Sequence, residues 1–239
     1  MEDYVLIFDS GNGGQYVFEQ FVNQIHNQNV ILYKDTLFCP YGDKDKDTLK
    51  SHIIKLFEYI LKIYNIKLAI IACNTISSMF KTILKKHFKN TKFLFIEPLI
   101  TKKILEQKTL LLATSNTIKT NKKIKKFKNN PNLICIGFPN LAKQIDDNIN
   151  NLDEVLPFLK NNLSKLCVHK FNNIILGCTH YNLIKKQLKK IFGEVNFIDN
   201  TQNQIKKATK FLLQQNNFYP CPKYIIIDNS KLKTQHKQA

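Results

Sequence analysis

Two cysteines occupy the same kind of place in the chain. Cys73 follows the apolar run Leu68 to Ala72 and opens Cys-Asn-Thr, while Cys178 follows Asn173 to Gly177 and opens Cys-Thr-His. Each tripeptide leads into a segment of helical periodicity. Each thiol is therefore expected at a helix N-terminus, where free amides and the positive dipole end draw a thiol pKa from about 8.5 toward neutrality. The bland alternative is a small buried residue at a tight strand-to-helix turn. One activated cysteine with a histidine base suggests acyl transfer. Two in matching contexts suggest something else: moving a proton from one face of a carbon to the other needs a base on one side and an acid opposite, and a thiol pair supplies both forms near neutral pH. The implied reaction is racemisation or epimerisation.

Positioning such a pair requires strands that end in a common cleft. Short apolar runs alternate with amphipathic segments along the chain, the α/β pattern. Strands are predicted at Tyr4 to Phe8, Val30 to Tyr33, Leu68 to Ala72, Lys92 to Ile96, Thr109 to Ala113, Leu133 to Ile136, Asn173 to Leu176, Val195 to Ile198 and Tyr224 to Asp228. Helices are predicted at Tyr16 to His26, Thr48 to Tyr64, Ser77 to Phe88, Lys119 to Phe127, Leu152 to Leu166, Tyr181 to Phe192 and Gln204 to Gln215, and the tail after Ser230 is expected to fray. An internal repeat emerges from the strand ends: Asp9 and Thr114 are 105 residues apart, and so are Cys73 and Cys178. The expected fold class is α/β, with two similar open halves of mostly parallel strands facing across a central cleft. Ligands of such sheets bind beyond the carboxyl ends of the strands, where both cysteines fall.

Composition narrows the class. The chain has 239 residues, enough for a buried core without metal or disulfides, with 44% apolar and 23% charged residues. Its 36 basic residues are all lysine, against 18 acidic ones, for a net charge of +18. Such an excess suits nucleic acid or anionic membrane. Yet lysine without arginine, beside 27 asparagines and no tryptophan, also reads as the coding bias of an AT-rich genome. A sequence-specific DNA reader lacking arginine would be odd, so weak nonspecific polyanion binding at low salt is the expectation, with no specific nucleic acid. The densest cluster, six lysines from Lys119 to Lys128, reads as the solvated face of a helix. No two of the six cysteines lie closer than eleven residues, which excludes CxxC redox and zinc motifs. The start lacks a basic region and a long apolar run, and no stretch is long enough to span a membrane, so a cytoplasmic location and reduced thiols are expected.

Four motifs in order make the reading specific. Phe8-Asp9-Ser10-Gly11-Asn12-Gly13-Gly14, Tyr33-Lys34-Asp35-Thr36 with Pro40-Tyr41-Gly42, Ala72-Cys73-Asn74-Thr75 and Leu176-Gly177-Cys178-Thr179-His180-Tyr181 together resemble glutamate racemase, of the cofactor-independent aspartate/glutamate racemase superfamily. The resemblance spans about residues 5 to 200. It implies interconversion of L- and D-glutamate without pyridoxal phosphate or metal, supplying D-glutamate for peptidoglycan. It also implies Cys73 and Cys178 as acid/bases, Asp9 assisting the first and His180 the second. Asp9, Ser10, Tyr41, Gly42, Asn74, Thr75, Thr114, Thr117, Thr179 and His180 fall on substrate-binding positions. The domains implied are 1–97 plus 208–239 and 98–207, the C-terminal helix and strand returning to the first; closure about a hinge and a homodimer are further expectations. A dicarboxylate held by amides, hydroxyls and Asn74 needs no arginine.

Some positions depart from the family pattern. Asn12 stands where an aliphatic residue is usual, so the Gly-rich turn is expected to hydrogen-bond differently. Cys39 replaces a basic or aliphatic residue before Pro-Tyr-Gly and reads as a bystander. Asp146 replaces a glutamate near the second cysteine and is one methylene shorter, leaving a catalytic role and a plain helix-surface charge both open. His26, His52, His87, His169 and His236 read as surface histidines, Cys135, Cys167 and Cys221 as core or exposed thiols, and Glu97-Pro98 as structural. The rivals are an aspartate racemase or another superfamily member; a thiol hydrolase using Cys178 and His180, which two residues apart point to different sides unless the turn is sharp; and a basic nucleic-acid-binding protein on a decayed enzyme scaffold.

Overall fold

Parallel strands covered by helices on both faces must be apolar along their whole length rather than alternately. The runs Val5 to Phe8, Leu68 to Ile71, Leu110 to Ala113 and Ile174 to Leu176 meet that demand, and nearly all of these residues are fully buried. In the computed structural model, which describes residues 2–215 and 218–231, the elements run β1 (Asp3–Asp9), α1 (Gly13–Val22), β2 (Val30–Lys34), α2 (Lys46–Ile63), β3 (Asn65–Ile71), α3 (Asn74–His87), β4 (Lys92–Phe95), β5 (Thr109–Ala113), α4 (Ser115–Thr120), α5 (Lys122–Phe127), β6 (Leu133–Gly137), α6 (Leu141–Asp147), α7 (Leu156–Leu163), β7 (Asn173–Gly177), α8 (Lys185–Phe192), β8 (Asn196–Ile198), α9 (Thr201–Leu213) and β9 (Tyr224–Asp228). All nine predicted strands are present. The expectation for the tail, and for His236, lies beyond residue 231 and so outside the described residues.

Two sheets form, ordered β4-β3-β1-β2-β9 and β6-β5-β7-β8, and every strand pairing is parallel. Reversed, the second reads β8-β7-β5-β6, the same order as the first four strands of the other half. The 105-residue offset thus maps β1 onto β5 and β3 onto β7, the inner strands of each sheet. In the first half α2 and α3 pack Ile53, Phe57, Ile76 and Phe80 on one face, while α1 and α9 bring Phe21, Ile205 and Leu212 to the other. In the second half α6, α7 and α8 cover one face and Ile100, Leu105 and Ile124 the other. The C-terminal elements pack on the first sheet; α9 runs unbroken through 207, where the division between domains is expected.

Helix details depart from periodicity. The helix expected at Lys119 to Phe127 is two short ones, because the buried Asn121 side chain accepts from the amides of Lys123 and Ile124 and caps a new helix. Lys122, Lys123, Lys125 and Lys126 still face solvent around the buried Ile124. The segment Leu152 to Leu166 is α-helical only from Leu156 to Leu163, flanked by 3-10 turns. After Cys178 the chain makes a 3-10 turn at Thr179–Asn182 before α8 begins at Lys185. The seven-residue α6 breaks the helical stripe too early for periodicity to reveal it.

Candidate active site

The Gly-rich turn after β1 and the start of α3 build one wall. Asp9 ends β1 fully buried, accepts from the Ser10 amide at 2.7 Å, and accepts the Thr179 hydroxyl of the opposite half at 2.8 Å. Cys73, 4% exposed, sits immediately before α3 with its Sγ 3.6 Å from Ser10 Oγ. The sequence led us to expect a thiol pKa drawn toward neutrality, and the opposite holds. Burial first, and the Asp9 charge second, push Cys73 up to about 12, although the Ile76 amide and the Ser10 hydroxyl act in the expected direction. The helix-terminus effect is real and is outweighed by desolvation. Burial also raises the Asp9 carboxyl, against the pull of His180, Thr179 and the Ser10 amide.

The opposite wall comes from the end of β7. Cys178 is 7% exposed, and because the following turn is tight, His180 folds back so that Nδ1 lies 3.7 Å from Cys178 Sγ. The objection that two residues so close in sequence point apart therefore fails. His180 Nε2 lies 3.0 Å from Asp146 Oδ2. α6 directs Asp146 inward, while its neighbour Asp147 pairs with Lys143 on the surface. Burial would lower His180 and raise Asp146, but the hydrogen bond between them, with Cys178 on one side and Asn12 on the other, reverses both: His180 lies well above the usual histidine value and Asp146 below the usual carboxylate value. An imidazolium–carboxylate pair thus stands behind Cys178 at neutral pH. Asn12 donates to Asp146 Oδ1 at 3.0 Å and accepts from Lys34 Nζ at 3.1 Å, so the departure in the Gly-rich turn ties the two walls together.

The remaining expected residues meet at the seam. Thr75 Oγ1 lies 2.9 Å from Thr114 Oγ1, which donates to Thr117 Oγ1 at 2.9 Å. Gly42 abuts Thr114, where a Cβ would come within 2.7 Å of the threonine Cβ. Tyr41, 1% exposed, donates its hydroxyl to Asp35. Asn74 Oδ1 is buried and finds no hydrogen-bond partner among the described residues. Three participants escaped the sequence reading. Asp35, fully buried, gathers Tyr41, His52 and Asn229. His52, expected on the surface, instead stacks on Phe38 at 3.9 Å between ring centroids. Asn116 of α4 donates to the carbonyls of Tyr41 and Lys44 across the seam. The Lys-Asp-Thr motif was a signal for Asp35; nothing local marked the other two. Cys39, taken as a bystander, lies in the cleft with Sγ 3.6 Å from Asp146 Oδ2.

No family model matches the chain. It is 31% identical over 218 residues to glutamate racemase 2 of Bacillus subtilis, covering 87% of this chain and 82% of that protein. With the glutamate racemase of Aliarcobacter butzleri it shares 33% identity over 221 residues, 87% and 83% of the two chains. Among solved structures, the Escherichia coli glutamate racemase in complex with L-glutamate and the activator UDP-MurNAc-ala superposes with a TM-score of 0.79 at 21% identity, covering 100% of this chain and 95% of that one. The Francisella tularensis glutamate racemase in complex with D-glutamate gives 0.77 at 23% identity, covering 94% and 87%.

Proposed function

This chain belongs to the glutamate racemase family, and from that premise we propose that it interconverts L- and D-glutamate by proton transfer between two thiols. The observation that carries the reading is the placement of Cys73 and Cys178 at equivalent strand ends of two repeated halves, both buried, each with its own polar partners. One thiolate removes the Cα proton, the electron pair is delocalised into the adjacent carboxylate, and the opposite thiol gives its proton to the other face of the carbon. The thiols exchange protonation states in each turnover, so the reverse reaction uses the same groups with roles swapped. Asp9 and Ser10 serve the Cys73 side. His180, oriented by Asp146, serves the Cys178 side, its imidazolium Nδ1–H directed at the Cys178 sulfur to stabilise the thiolate when that side is the base. The buried Asn74 acceptor suits the substrate ammonium, and the hydroxyls of Thr75, Thr114, Thr117 and Thr179, with Ser10, suit its carboxylates. Tyr41 and Gly42 act by holding the loop beside Thr114.

The Cα–H is far less acidic than any thiol, so preorganised donors and the exclusion of water must supply most of the rate enhancement. The hydroxyls offered to substrate are paired with one another across the seam, so the halves must part to admit it and re-form those bonds around it. No step calls on pyridoxal phosphate or a metal. A Cys178-His180-Asp146 chain alone would also suit a thiol hydrolase, but that reading leaves Cys73, Ser10 and Asp9 without work. Production of D-glutamate for peptidoglycan, and with it cell shape, a cytoplasmic location and a homodimeric state complete the proposal; no helix among the described residues is long and apolar enough to cross a membrane.

The test is racemisation of L-glutamate and, separately, of L-aspartate by the purified reduced protein without added cofactor, followed by optical rotation. Loss of optical activity with glutamate, abolished in both Cys73→Ala and Cys178→Ala, supports the proposal. Activity confined to aspartate moves the chain to another branch, and activity surviving either substitution removes the two-thiol mechanism.

A further inference from the structure

The cleft holds a thiol that the proton transfers do not use. Cys39 Sγ, an Asp146 oxygen and a His180 ring nitrogen all lie within 4.8 Å of one another, and Cys39 and Asp146 are partly exposed where His180 is buried. The separations Asp146 Oδ2–His180 Nε2 of 3.0 Å and Asp146 Oδ2–Cys39 Sγ of 3.6 Å are close to the edges of a zinc tetrahedron. Bonds of about 2.0 Å to nitrogen and oxygen and about 2.3 Å to sulfur give edges of about 3.3 and 3.5 Å. Three different elements supply the donors: the loop before Tyr41, α6 and the turn after β7.

We propose that Cys39, Asp146 and His180 form an inhibitory site for a divalent, borderline-soft cation of the zinc type, with water in the fourth position. One thiolate, one carboxylate and one neutral imidazole are the donor set such an ion prefers, and the two anions match its charge. Binding displaces the proton of the Cys39 thiol and that of the His180 imidazolium, both to solvent. The ion takes His180 Nε2 from Asp146 and fixes the imidazole as a ligand, so the imidazolium behind Cys178 is lost. Cys39 and Asp146, both partly exposed, lie on the side from which an ion would enter. Gly11 leaves the room: a Cβ there would stand 2.8 Å from His180 Nε2 and 2.9 Å from Asp146 Oδ2. Cys39 itself lies outside the proton path.

Titration of the full chain with Co²⁺, under a phosphine reductant that does not chelate metal, tests the site by absorption. About one equivalent is expected to give a thiolate-to-cobalt charge-transfer band with tetrahedral d–d bands, reversed by Zn²⁺ and by EDTA. Cys39→Ser is expected to lose the band. Inhibition is read separately and rests on the racemase reading: Zn²⁺ should slow glutamate racemisation by the parent chain and be reversed by EDTA. Cys39→Ser should keep its metal-free rate while needing about tenfold more Zn²⁺ or beyond for the same inhibition. No thiolate band in the parent chain overturns the proposal. So does an unchanged band in Cys39→Ser, or equal Zn²⁺ sensitivity of the two proteins, which would place the ion on Cys73 and Cys178. A chain without racemase activity still leaves the cobalt spectra to decide.

Discussion

At Cys73 the Ile76 amide and the Ser10 hydroxyl favour the thiolate, while the loss of water and the Asp9 carboxylate oppose it and prevail. The substrate-free protein therefore holds a Cys73 thiol at neutral pH, ready to donate and not to abstract, and in the proposed mechanism the positive charge of a substrate ammonium would favour its thiolate. Iodoacetamide at pH 7.5 is expected to label the exposed Cys221 at least about tenfold faster than Cys73, the thiolate being the nucleophile; mass spectrometry of tryptic peptides reads the ratio, and equal labelling would contradict the burial argument. The ion pair behind Cys178 gives a pH signature. Asp146, lowered in the fold, stabilises above its unfolded value of about 3.9 and loses that contribution as pH falls through its depressed pKa. His180, raised in the fold, stabilises fully below about 6.5 and loses its contribution as pH rises through its elevated pKa. The melting temperature of the parent chain should thus exceed that of Asp146→Asn most between about pH 4 and 6.5, with the gap narrowing on both sides, as calorimetry would show. The same variant should lower kcat by about 10²-fold or more. Types and spacing pointed to these residues, but not to the sign of the Cys73 shift, since burial is a property of the closed fold and not of the tripeptide. Sequence singled out Asp146 but left its role open between catalysis and plain surface charge, because which side chain of the short α6 faces the cleft is set by how that helix packs.

Asp35 anchors the loop that carries Cys39, Tyr41 and Gly42 by gathering donors from three elements, and His52 of α2 is one of them. Asp35→Ala leaves the buried Tyr41 hydroxyl without its acceptor. It should cost about 1–3 kcal/mol in urea denaturation, and it should raise KM as the loop beside Thr114 loosens. The turn after β1 allows a sharper test of element placement. Gly13 begins α1 against the turn after β7, and a Cβ there would stand 2.4 Å from Thr179 Oγ1 and 2.6 Å from the His180 amide nitrogen. Backbone cannot yield as a flexible side chain does, so Gly13→Ala should keep near-native circular dichroism while kcat/KM falls by about 10²-fold or more. The strands were legible because doubly covered parallel strands are uninterrupted apolar runs, and the repeat because Asp9 and Thr114, like Cys73 and Cys178, end equivalent strands 105 residues apart. Helix interruptions were not. Asn121 stops one helix and caps the next through a buried side chain, and the 3-10 turn after Cys178 is fixed by His180 packing back under the cleft.

The halves meet through hydrogen bonds, Thr75 with Thr114, Thr179 with Asp9, and the Asn116 backbone N–H with the Gly42 carbonyl at 3.0 Å, and the first two involve hydroxyls that the proposed function offers to substrate. Admission of glutamate requires these to part together, so the Asn116 amide should exchange with deuterium through an opening motion and become more protected when saturating glutamate holds the halves closed. Hydrogen exchange by mass spectrometry over peptides spanning 114–120 reads this, and unchanged exchange would argue against a gated cleft. The net charge of +18 is spread along the chain, and the four lysines of α5 add to it on a face turned away from their buried Ile124. Two walls with one thiol each make a prediction that no single-base enzyme shares. With protiated L-glutamate in deuterium oxide, NMR and chiral chromatography at early conversion should find deuterium at Cα of the newly formed D-glutamate and protium still in the remaining L-glutamate, because the proton leaves on one thiol and the solvent deuteron arrives from the other. Protium retained in the product, or deuterium entering the substrate pool as fast as the product forms, would mean that one base serves both faces and would contradict the two-thiol mechanism.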